Sequence, residues 1–173
     1  DMGEKDPTGS LYSFDGHQPT PLLKNVTISN GLAWSPDHKT LYYIDTPTRE
    51  VKAFDYDPAT GQIANPRVAI RVCESLGWPD GMTSDTEGNL WIAIWGGAQV
   101  TRWNPNTGKL LEQFPLPALH TSSCVFGGRD MNELYITSAR ENMSEADLKK
   151  YPLSGGLFKV ETKVTGMSTF EFA

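Results

Sequence analysis

Short apolar runs separated by polar turns recur along the whole chain. Gly9-Ser10-Leu11-Tyr12-Ser13-Phe14-Asp15-Gly16 alternates small or polar with apolar residues and ends in a turn, the pattern of a half-buried strand. From Asn30 the chain reads as a meander. Gly31 to Trp34 is strand-like, Ser35-Pro36-Asp37-His38 is a turn, Thr40 to Ile44 is rich in aromatic and branched residues, and Val51 to Phe54 follows a polar bend. Asp57-Pro58-Ala59-Thr60-Gly61 closes the next hairpin, because proline presets the turn and glycine tolerates positive φ.

The same order returns from Asp80. Gly81 to Thr83 is an inner strand, Thr86-Glu87-Gly88-Asn89 a turn, Leu90 to Trp95 an almost continuous apolar run, and Gln99 to Trp103 leads to Asn104-Pro105-Asn106-Thr107-Gly108, which answers the earlier D-P-A-T-G turn. A third copy runs from Ser122 through Cys124-Val125-Phe126, the turn Gly127-Gly128-Arg129-Asp130 and Leu134 to Ser138, to Gly155-Gly156-Leu157-Phe158-Lys159-Val160. That last strand is similar to the one at Gly9 to Phe14. Strand-turn-strand units repeating at about 42 to 50 residues are the signature of propeller blades, in which each four-stranded antiparallel sheet buries its faces only by stacking on its neighbours. The expected fold is therefore all-β: one partial β-propeller domain over 1–173, with a partial blade at 9–28 and blades at 29–78, 79–120 and 121–173. The one helix signal is Ser144 to Lys150, with a serine cap, Asp147 three residues on, two terminal lysines and Pro152 beyond.

Composition narrows the partners. The chain of 173 residues is 38% hydrophobic and 21% charged, ordinary for one globular domain. Fifteen Lys and Arg stand against 21 Asp and Glu for a net charge of −6, with no basic run, so neither nucleic acid nor an anionic membrane surface is expected as a partner. No apolar stretch approaches the roughly 20 residues of a membrane-spanning helix. Cys73 and Cys124 lack C-x-x-C spacing and read as two reduced, half-buried thiols, which favours a cytoplasmic location. Two N-x-S/T triplets, at Asn25 and Asn142, would matter only in a secreted chain. The sequence starts at Asp1 without a methionine or signal peptide, so a preceding segment is expected to be missing.

The chemistry concentrates at Asn30-Gly31 and Asp80-Gly81. Each places a short oxygen-bearing side chain before a glycine and an apolar strand, and Ser122 occupies the same register in the third copy. The first strand of a propeller blade lines the central channel, so these positions converge on one channel mouth. An amide, a carboxylate and a hydroxyl there form a hard-oxygen environment for a divalent cation: calcium, magnesium, manganese or zinc. N-G and D-G are also strong turn dipeptides, so on pattern alone simple turns remain the alternative. His17 and His38 lie in polar turns, and His120, just before the third inner strand, could reach the same mouth. There is no G-x-S-x-G elbow, Walker loop or H-E-x-x-H.

Eight segments carry a resemblance: S-N-G-L-A-W-S-P-D (29–37), Y-Y-I-D-T (42–46), A-F-D-Y-D-P-A-T-G-Q-I (53–63), P-D-G-M (79–82), E-G-N-L-W-I-A (87–93), T-S-S-C-V-F-G-G (121–128), L-Y-I-T-S-A-R (134–140) and G-G-L-F-K-V (155–160). In this order they resemble the senescence marker protein, gluconolactonase and luciferin-regenerating enzyme family, and the ending T-K-V-T-G-M-S-T-F-E-F-A is similar to that family's carboxyl terminus. The resemblance implies about half of a six-bladed propeller, with one divalent metal ion at the channel mouth and hydrolysis of small sugar lactones. It puts the family's metal-binding asparagine on Asn30 and its metal-binding, presumed general-base aspartate on Asp80. A calcium-binding, regulatory, regucalcin-like protein or an inactive propeller fragment is the alternative. The match covers only the carboxyl-terminal part of the family, so the glutamate ligand of the first blade and the substrate-contacting arginine and asparagine have no counterpart here. A further family glutamate aligns near Met2-Gly3-Glu4-Lys5, where Lys5 stands at the aligned position and Glu4 beside it. Open blade faces and edges then call for a missing front half or for self-association to close the propeller.

Overall fold

A computed structural model describes residues 6–168. Among the described residues thirteen strands and one short α-helix follow each other: β1 (Gly9–Phe14), β2 (Pro19–Val26), β3 (Ser29–Trp34), β4 (Thr40–Asp45), β5 (Glu50–Tyr56), β6 (Ile63–Arg71), β7 (Trp78–Ser84), β8 (Leu90–Trp95), β9 (Gln99–Asn104), β10 (Lys109–Pro115), β11 (His120–Gly127), β12 (Glu133–Ala139), α1 (Glu145–Lys150) and β13 (Leu157–Glu161). All pairings are antiparallel between sequence neighbours, giving a β1-β2 ribbon, two four-stranded sheets β3-β4-β5-β6 and β7-β8-β9-β10, and a three-stranded sheet β11-β12-β13. These are propeller blades. Their first strands β3, β7 and β11 stand side by side.

The apolar run of β8 shows why blades stack. Leu90, Ile92 and Ile94 pack into a core with Ala33, Tyr42, Ile44, Val51 and Ile70 of the preceding blade. The alternate residues Trp91 and Ala93 pack the other way, with Cys124, Phe126, Leu134 and Ile136 of the following blade. A strand buried on both faces has no polar side to show, which explains L-W-I-A-I. Each large aliphatic residue so buried contributes about 1.5–3 kcal/mol. In β4 the alternation is the same, with Leu41 and Tyr43 facing the β1-β2 ribbon through Val26, Leu11 and Leu23.

The turns follow their residues. Asp57 Oδ1 accepts from Ala59 N, and Asn104 Oδ1 accepts from Asn106 N and Thr107 N. Gly61 and Gly108 supply the positive φ, 69° and 68°, that closes both hairpins. Before β8, Asp85 is fully buried: Oδ1 accepts from the backbone of Glu87 and Asn89, and Oδ2 from Trp91 Nε1 and Arg102 Nε, each at 2.9–3.0 Å. Arg102 also pairs with Glu87 and Glu112.

After β13 the chain turns back across two blades. Gly166 N donates to Met131 O, Thr86 N donates to Thr165 O, and Gly166 bridges to Asp85. The expected helix is α1, where Ser144 and Asp147 form a reciprocal capping box. The two thiols are free but unlike: Cys73 is exposed and Cys124 buried, so the half-buried expectation holds for neither. Burial pushes the Cys124 thiol up to about 12.

Candidate functional site

Asn30-Gly31 and Asp80-Gly81 are not turns; both lie inside inner strands. The ladder slips at each: Ser29 pairs with Asp45 and Leu32 with Tyr43, while Pro79 pairs with Ile94 and Met82 with Ile92. One extra residue on the inner strand makes each a β-bulge, a device that re-aims a side chain at the edge of a sheet. A third bulge between Thr121 and Ser123 puts Ser122 in the equivalent place. The glycines serve neighbours rather than φ. A Cβ on Gly31 would sit 2.7 Å from the Asp80 carbonyl oxygen, and one on Gly81 would sit 2.6 Å from Ser123 Cβ. Neighbouring inner strands touch backbone to backbone there, which brings the bulges of adjacent blades together.

The Asn30 and Asp80 side chains consequently meet. Asp80 is half-buried, and this desolvation raises its pKa to about 6, opposed by hydrogen bonds from the Asn30 side chain and from the Gly81 backbone. Among the described residues no Lys, Arg or His forms an ion pair with it. Asn30 Nδ2 also donates to Thr46 Oγ1 at 3.1 Å, and that hydroxyl donates to Pro79 O at 2.9 Å. Thr46, buried just after β4, went unnoticed in the sequence, where Y-Y-I-D-T ends on it without any local polar pattern.

The other candidates have contacts of their own. Ser122 Oγ bonds Thr137 Oγ1 at 2.9 Å. His17 sits in the Asp15 turn, its backbone N–H bonded to Asp15 Oδ1. His38, at φ 55°, borders a concavity of about 720 Å³ that runs along the far halves of the inner strands past Leu32, Met82 and Val125 and does not reach Asp80. His120 is the first residue of β11 and stacks on Trp95, ring centroids 4.3 Å apart. Its Nδ1 is buried and has no hydrogen-bond partner among the described residues. Burial lowers its pKa while Asp147 and Glu141 oppose the shift. Arg49 lies over the Trp78 ring at 3.5 Å, beside the same strand end. Glu4 and Lys5 lie outside the described residues.

A half-buried carboxylate without an ion-pair partner among the described residues, beside an amide with a spare oxygen, fits a hard divalent cation. The donor set is incomplete on its own: among the described residues no three His, Cys, Asp or Glu side chains converge.

A family model described as the SMP-30/Gluconolactonase/LRE-like region matches residues 1–140. Regucalcin of Oryctolagus cuniculus is 46% identical over 167 residues, 95% of this chain and 56% of its own, and regucalcin of Homo sapiens is 44% identical over the same coverage. Among solved structures, a luciferin-regenerating enzyme superposes with a TM-score of 0.85 at 36% identity, across 93% of this chain and 54% of that one. A calcium-binding protein, regucalcin, from Agrobacterium tumefaciens does so with 0.88 at 29%, across 94% and 55%. The chain spans about half the length of the relatives it matches.

Proposed function

The chain belongs to the SMP-30, gluconolactonase and LRE-like family, and from that premise we propose that it carries part of the site of a divalent-metal-dependent hydrolase of small sugar lactones. The observation that carries this reading is the meeting of Asn30 and Asp80, delivered by equivalent bulges of adjacent blades, with no ion pair on the carboxylate among the described residues.

Asn30 and Asp80 would hold the metal through an amide oxygen and a carboxylate oxygen. The bound cation would supply Lewis acidity toward the lactone carbonyl. Asp80 would act as general base, taking a proton from the attacking water as its oxygen joins the carbonyl carbon. Once the ring C–O bond breaks, the same carboxyl would return that proton to the departing alkoxide. Remaining ligands and substrate contacts would come from blades beyond this chain, either a front half or a second copy. We therefore expect weak or no turnover from the 173 residues alone.

A regulatory calcium-binding role is the second reading, favoured by the similarity to proteins named regucalcin. A cytoplasmic setting, in which Cys73 and Cys124 stay thiols, accompanies both readings. Calorimetric titration with calcium, zinc and manganese, with a gluconolactone hydrolysis assay alongside, tests the proposal. Asp80→Ala should remove cation binding, and undiminished binding by that variant would overturn the assignment. Cation binding that never yields turnover, even with the remaining blades restored, would favour the regulatory role.

A further inference from the structure

We infer that Thr46 is a positioning residue of the Asn30–Asp80 pair: its hydroxyl decides which way the Asn30 amide faces and so leaves Oδ1 as the atom open to a cation. This rests on the reading of the pair as cation ligands given above.

A threonine hydroxyl has one hydrogen to donate. That of Thr46 goes to Pro79 O at 2.9 Å. Its oxygen can then only accept, so the Asn30 atom facing it at 3.1 Å must be the nitrogen. Ordinarily the two ends of an asparagine amide are told apart only by such a network. Here the network permits one orientation. With Nδ2 held on Thr46, Oδ1 points to the other side of the amide, where no hydrogen bond from the described residues engages its lone pairs.

Thr46 can hold this role because it is itself fixed. It is 3% exposed, its N–H donates to Ile28 O, and its carbonyl accepts from Arg49 N. Its two partners belong to different blades: Asn30 to β3, and Pro79, the residue before Asp80, to β7. One hydroxyl thus orients the first ligand and tethers the strand that carries the second. Were Thr46 only satisfying the Pro79 carbonyl, the amide would owe it nothing.

The test uses the full chain in the forms wild type, Thr46→Ser, Thr46→Val, Asn30→Ala and the Asn30→Ala/Thr46→Val double variant. Side-chain amide exchange of Asn30 is followed by ¹⁵N NMR, and calcium and manganese affinities are measured by calorimetry. In the wild type and Thr46→Ser, the Asn30 amide protons should exchange far more slowly than those of the exposed Asn142. In Thr46→Val that protection should fall at least tenfold. Cation affinity should fall about tenfold in Thr46→Val and hold within about twofold in Thr46→Ser, and the double variant should bind no more weakly than Asn30→Ala. Wild-type Asn30 exchanging as fast as Asn142 would overturn the inference even if Thr46→Val fails to fold. So would protection or affinity that survives Thr46→Val. Absence of cation binding in the wild type, with the exchange pattern as expected, would leave the orienting role standing and sink only the ligand reading on which it builds.

Discussion

Replacing Asp80 by Asn should make the metal-free chain more stable, by an amount that grows with pH. The carboxyl titrates near 6 in the folded chain against 3.8 for an ordinary aspartate. Between those values the native state binds more protons than the unfolded state, so stability falls as pH rises through this window. Above it, the full cost of an ionised, half-buried carboxylate is present. A shift of about two units corresponds to about 3 kcal/mol, and partial solvent screening of the group reduces the expected cost to about 1–2 kcal/mol. Asparagine keeps a polar group beside Asn30 and never ionises. Urea unfolding in EDTA-containing buffers should therefore show Asp80→Asn equal to wild type near pH 4 and about 1–2 kcal/mol more stable at pH 7. A difference independent of pH, or a less stable variant at pH 7, would refute the reasoning. Excess calcium should then stabilise the wild type and leave Asp80→Asn unmoved.

Other perturbations probe the frame around the site. Arg102→Ala leaves the fully buried Asp85 without its guanidinium, and should cost about 3–5 kcal/mol in denaturant unfolding. Gly81→Ala forces a methyl group against Ser123 and should cost about 1–3 kcal/mol, while the same change at Gly61, which has open space but φ 69°, tests turn strain alone. Ser144→Ala removes one half of the capping box and should lower stability by about 1 kcal/mol or less, seen as faster amide exchange confined to α1.

The inner and second strands of each blade are legible in the sequence because burial on both faces writes continuous apolar runs, as in Leu90–Trp95, and because Asp57 and Asn104 announce their hairpins. The outer strands β2, β6 and β10 are not. Pro19 and Pro21, Pro66, and the largely exposed Lys109–Pro115 carry no period-2 contrast, since an outermost strand has little core to face. The Asn30–Asp80 pairing was visible through repetition, yet their glycines pointed to turns; only the contact between blades explains a glycine there without positive φ. Thr46 and the Asp85–Arg102 cluster were illegible because their partners come from distant turns and strands: Thr46 reaches Pro79, and Asp85 meets Arg102.

The returning segment that ends at Gly166 gives the chain a temporal order. Synthesis proceeds from the amino end at about 5–20 residues per second, so β10 is finished some 3–10 seconds before Gly166 is made. During that interval blades β3–β6 and β7–β10 exist without the Gly166 bridge, and the Asp85 turn has only Trp91 and Arg102 of its own sheet as side-chain partners to draw on. The clasp across the last two sheets is thus the last of these contacts that synthesis allows, and every residue that brings Asn30 to Asp80 is made before it can close.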